Sequence, residues 1–131
     1  MRKSIIVALS GTLLAGAAFA DVAAPQFVNL QSSDMLTSNV VGLDVYDPAG
    51  HDIAKIKDVA FNDAKAVQGY VLSVGGFLGA GSHYVAVDVS SVKIDFDANA
   101  KKWRASMATT ADQLKAAPAF EYRGKWDASK S

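Results

Sequence analysis

The chain has 131 residues, 13 basic and 13 acidic side chains and no cysteine. That length suits one domain, and the missing cysteines exclude disulfides, thiolate metal sites and a cysteine nucleophile. No basic cluster accompanies the even charge balance, so nucleic acid is not expected as a partner.

Residues 1–20 read as a signal peptide. Arg2 and Lys3 form a positive start, Ser4 to Ala18 is apolar or small throughout, and Ala18-Phe19-Ala20 is an A-x-A cleavage site. The apolar run is short for a bilayer span, which needs about 20 residues. With no cysteine after the small-residue site, a lipid-anchored lipoprotein is excluded. Cleavage after Ala20 is expected to leave a chain from Asp21 with a small acidic excess and no transmembrane anchor. The expected location is the bacterial periplasm or the exterior.

Residues 21–39 show no clear period and read as a linker with a short docking segment around Met35-Leu36. Strand patterns begin at Val40 and fill residues 40–107. In Val40 to Tyr46, Val41, Leu43 and Val45 alternate onto one face. Asp47 to Gly50, DPAG, has the proline and glycine placement of a type I turn. Asp52 to Phe61 is a second strand whose apolar spacing breaks near Lys57-Asp58, as a β-bulge would. Asn62 to Lys65 turns the chain, and Val67 to Val74, apolar on both faces, reads as a central strand. His83 to Val89, Val92 to Phe96 and Trp103 to Met107 complete six short strands. Short strands with regular turns predict a mainly all-β fold, a small antiparallel barrel, closed or nearly so. Val45, Ile56, Phe61, Val71, Val85 and Ile94 are the predicted core.

Residues 108–120 carry a short C-terminal helix. Thr110 to Gln113 is a T-x-x-Q capping box, and Pro118 ends the helical run. Residues 121–131 read as a polar tail with Trp126 isolated in it, its last residues disordered.

Acidic side chains are almost all aspartate, with Glu121 the one glutamate. Asp47, Asp52, Asp63 and Asp97 sit among turn residues, where the carboxylate binds nearby backbone amides. His51 and His83 lack metal-ligand spacing, so neither a metal nor another cofactor is expected. Ser73, His83 and Asp88 could be written as a triad, but no G-x-S-x-G elbow presents the serine. No catalytic residue is predicted.

The candidate interaction loop is Gly75, Gly76, Phe77, Leu78, Gly79 and Gly81. It lacks the lysine of a phosphate loop, because Ser82-His83 follows Gly81, and a strand pattern rather than a helix comes next. Its glycines supply backbone freedom. Phe77 and Leu78 either plug the barrel mouth or meet a partner, and the plug is preferred because a small barrel must fill its open end.

Val41 to Ile94 resembles the PRC-barrel domain, the small barrel of the photosynthetic reaction-centre H subunit and of the ribosome-maturation factor's C-terminal domain. The resemblance rests on Gly42, Val45-Tyr46 and Gly50, on Ile56 to Phe61, and on Val74 to Gly81 with Tyr84 to Val87. The last block is similar to that of secreted bacterial single-domain members, and Gln113 to Phe120 resembles the tail that often follows their barrel. Asp88 departs from the proline usual after YVAV, and Ala64-Lys65 from the glycine usual after the aspartate of the second turn. The resemblance implies a binding or assembly module with no shared catalytic residues. The expected function is therefore non-catalytic protein–protein interaction with an unknown partner, including self-association as a homo-oligomer. The alternative is a periplasmic protein that binds a small ligand or ion through loop 75–81.

Overall fold

The computed structural model describes residues 23–75 and 83–127. Two compact units are present, Met1–Asp34 and Met35–Ser131. In the first, residues 23–34 carry one turn, in which Asp34 N–H donates to the Gln31 carbonyl at 3.0 Å and the Asp34 carboxylate accepts from Gln31 N–H at 2.7 Å.

The second unit begins with a single helical turn, α1 (Thr37–Val40), then β1 (Asp44–Tyr46), β2 (Asp52–Phe61), β3 (Val67–Val74), β4 (His83–Asp88), β5 (Lys93–Asp97), β6 (Lys102–Ser106) and α2 (Ala111–Ala116). The strands form one sheet in the order β4-β3-β2-β1-β6-β5. Consecutive strands β4 and β5 thus lie at opposite edges. Five strand spacings of about 4.8 Å would set the edges of a flat sheet roughly 24 Å apart. The five-residue step from Asp88 to Lys93 reaches at most about 18 Å at 3.6 Å per residue, and a 3₁₀ turn, Val89–Ser91, shortens it further. The sheet must therefore curl until its edges approach: a half-barrel whose seam carries no ladder.

The core fills the concave side. Val45, Ile56, Leu72, Val74 and Val85 are its largest fully buried side chains, and burying each contributes about 1.5–3 kcal/mol. Val40 of α1, Val92 and Leu114 of α2 close it. The predicted capping box is present: the Thr110 hydroxyl accepts from Gln113 N–H at 3.1 Å and the Gln113 side-chain oxygen accepts from Thr110 N–H at 3.2 Å.

Four expectations need correction. The sheet is mixed rather than antiparallel throughout, because β1 pairs with β6 in parallel, Val45 opposite Ala105. The first strand does not start at Val40: that residue ends α1, Val41 is exposed, and Gly42 turns the chain with φ +98° before β1. Phe61 is not in the core but 53% exposed. It is the last residue of β2, opposite an exposed Val67, and burial thins along that strand beyond Ile56. Ile94 is only partly buried against the core. At the second turn, where glycine would be usual, Lys65 takes the left-handed φ of 69°.

Candidate functional site

The site is built on the predicted bulge. Ile56 pairs with Leu72 and Asp58 with Val71, so Lys57 is the extra residue of β2. A bulge of this kind sends two consecutive side chains to one face. Tyr70, Leu72 and Val74 of β3 point into the core, so Val71, between them, lies on the outer face, and Asp58 beside it shares that face.

The C-terminal tail crosses this outer face. Pro118 ends the helical run, and the chain then meets the edge of β4. His83 Nε2 lies 2.9 Å from the Ala117 carbonyl oxygen, and Phe120 N–H donates to the Tyr84 carbonyl at 2.7 Å. From there the Tyr122 side chain reaches across β3, and its hydroxyl donates to the Asp58 carboxylate of β2 at 3.0 Å. The Lys57 ammonium stands over two rings, 5.4 Å from the centroid of Tyr84 and 5.6 Å from that of Tyr122. Tyr84 and Tyr122 meet edge to face at 5.8 Å, as do Phe120 and Tyr122 at 5.1 Å. Burial, and next the bond to Asp58, push the Tyr122 phenol well above its ordinary value of 10.0, so it stays a donor. Trp126, expected to stand alone, packs on Phe120 at 5.6 Å, and Asp127 is still within the described chain.

Beside the tail lies a groove of about 700 Å³. Its floor is small where β2, β3 and β4 run together: Ala60 is paired with Gly69, and Ala86 with Val71. Phe61, Phe120, Tyr122 and Trp126 supply rings at its border, and Asp58 and Asp88 are the charged residues that line it. Gly69 is needed for this floor. A Cβ there would stand 2.1 Å from the Val87 carbonyl oxygen.

Of the candidate loop only Gly75 is described, with φ +66° and a Cβ position 3.4 Å from the Lys115 side chain. Gly76, Phe77, Leu78, Gly79 and Gly81 lie outside the described residues. His51 pairs with Asp47 at 3.1 Å. The written triad is not assembled, since Ser73 lies opposite Tyr84 while Asp88 lies opposite Gly69, four rungs along β4. Among the described residues no three His, Asp or Glu side chains gather as a metal would need, and no helix is long and apolar enough to cross a membrane. Sequence reading missed the groove. Its one local signal was the aromatic series Phe120, Tyr122 and Trp126 after Pro118, which a polar composition concealed.

The family model for the PRC-barrel domain matches residues 33–101. The chain belongs to that family. No curated protein matches it. The PRC match takes in β1 to β5 and stops before β6, so β6, α2 and the tail that borders the groove lie beyond the matched stretch of this PRC-barrel protein.

Proposed function

We propose that the chain is an exported, non-catalytic PRC-barrel protein of the bacterial periplasm that works by contact with other proteins. The observation that carries this reading is the groove. Phe61 and Trp126 border it while 53% and 56% exposed, and aromatic side chains left at a surface are the anchors that protein interfaces use. The leader at residues 1–20 and its A-x-A site support export.

Native material tests it. N-terminal sequencing is expected to begin at Asp21, and an intact Met1 in a membrane fraction contradicts export. Solution mass and co-purification are expected to show either self-association or a bound protein. A Phe61→Asp, Trp126→Asp double variant, changed at exposed positions, is expected to stay folded and to weaken that association by about tenfold or more. A native chain that is a monomer and carries no partner contradicts the reading.

A further inference from the structure

The edge of β4 is half used. Phe120 N–H reaches the Tyr84 carbonyl, so the polar backbone groups of Tyr84 face away from β3. In an antiparallel strand the groups that face one way recur at every second residue. Those of Ala86 and Asp88 therefore face outward too. Among the described residues the tail makes no further backbone bond to β4 after Phe120, and Tyr122 instead sends its hydroxyl across to Asp58 on β2. Among the described residues no backbone group outside the β3–β4 ladder bonds Ala86. An open N–H and C=O on a strand edge form a template for another extended segment.

The groove adjoins this open half, because Ala86 and Asp88 line it. The charges that line it, on Asp58 and Asp88, are both acidic, and rings stand beside them. Carboxylates with aromatic faces form a setting for an ammonium or guanidinium group. The protein itself shows this chemistry next door, where Lys57 stands over Tyr84 and Tyr122. We propose that the open half of the β4 edge takes up an extended, basic peptide segment of a partner protein by strand addition, with a lysine or arginine side chain laid between the groove's rings and its two aspartates. Main-chain hydrogen bonds would supply affinity and the side-chain pocket selectivity. A second copy joined through the same edge would bring a second Asp88 to an acidic rim, so the segment belongs to a different chain. This deepens the binding-module reading and rests on it.

The probe is a blocked synthetic hexapeptide in which valine alternates with lysine. Its controls carry glutamate in place of lysine, or N-methyl groups on alternate amides. Binding is followed by calorimetry and by tryptophan fluorescence in a Trp103→Phe chain, where Trp126 is the emitter. The lysine peptide is expected to bind, more weakly as salt rises, and both controls to bind about tenfold or more weakly. Ala86→Pro removes an outward N–H at an edge, where proline is tolerated. It is expected to lose the lysine peptide to a similar extent with an unchanged circular dichroism spectrum, and the N-methyl control carries the same test on the wild-type chain if that variant does not fold. No binding of the lysine peptide, equal binding of its glutamate counterpart, or full binding of the N-methylated form overturns the proposal. If the native chain nonetheless co-purifies with a protein, only the groove assignment falls and the binding-module reading stands.

Discussion

At Gly69 the backbones of β3 and β4 approach so closely that no side chain fits. The atom a Cβ would strike, 2.1 Å away, is the Val87 carbonyl oxygen, part of a backbone that cannot swing aside. Gly69→Ala is therefore expected to cost about 1–3 kcal/mol or more, the usual range for overpacking, measured by denaturant unfolding. Phe61 and Leu72 make the complementary comparison on one sheet. Leu72 is wholly buried, and Leu72→Ala is expected to lose about 2–5 kcal/mol. Phe61 is 53% exposed, and Phe61→Ala is expected to lose less than about 1 kcal/mol. Similar losses at the two positions would show that the outer end of β2 is covered in solution.

Among the elements, β2 and the C-terminal tail depend on each other. The bulge turns Lys57 and Asp58 to one face, and the tail's rings settle on both. Tyr122 holds its proton more tightly in the folded chain than in the unfolded one, through burial first and the Asp58 bond second. Its contribution is thus complete below the ordinary value of 10.0 and is lost as pH rises beyond it. On alkaline titration Tyr122 is expected to ionise late, by ultraviolet difference absorbance, with a change in tryptophan fluorescence as the tail leaves the sheet. Tyr122→Phe should remove one late-ionising tyrosine and the fluorescence change that goes with it, while costing about 0.5–1.5 kcal/mol, the worth of one hydrogen bond. Late absorbance and a fluorescence change that both survive the substitution undiminished assign the coupled step to another tyrosine. Tyr70 is raised too, by burial alone.

For the molecule as a whole, the short turns hold the curled sheet, and aspartates hold the turns. Asp47 accepts from the N–H groups of Ala49 and His51, Asp88 from that of Ser90, and Asp97 from those of Asn99 and Ala100. These bonds favour the charged carboxylate, and all three pKa values lie below the ordinary 3.8: Asp47 chiefly through the His51 amide, Asp88 through the Ser90 hydroxyl, Asp97 through the Ala100 amide. A lowered folded value means stability that is complete above the unfolded one and is lost as pH falls through the folded one. Unfolding midpoints are expected to hold at neutral pH and to drop below about pH 4. Asp47→Asn, Asp88→Asn and Asp97→Asn together should flatten that drop. An equally steep acid limb in the triple variant would place the acid sensitivity elsewhere.

The amino-acid sequence alone determined β2 and β3 to the residue, a bulge near Lys57-Asp58, the Thr110 capping box and a small β-barrel of about six strands. These are local matters: alternation, turn residues and helix caps act over a few positions, and the chain writes each of them in one place. Which strands become neighbours was decided elsewhere. β4 and β5 are consecutive yet leave an open seam, and β1 pairs in parallel with β6 from the other end of the sheet-forming segment; both are set by how the whole sheet curls, which no local window of sequence contains. Phe61 has the right residue type and spacing for a core position. It is exposed because it is the last residue of β2, paired with the exposed first residue of β3, beyond the end of the packed core. The groove lies furthest from local reading. Its floor is a set of small residues on three strands, its rings come from a tail of polar composition, and its charge comes from two aspartates whose individual patterns speak only of a bulge and a turn. Only the crossing of the tail over the outer face brings them together, because burial and proximity belong to the packed chain rather than to any segment of it.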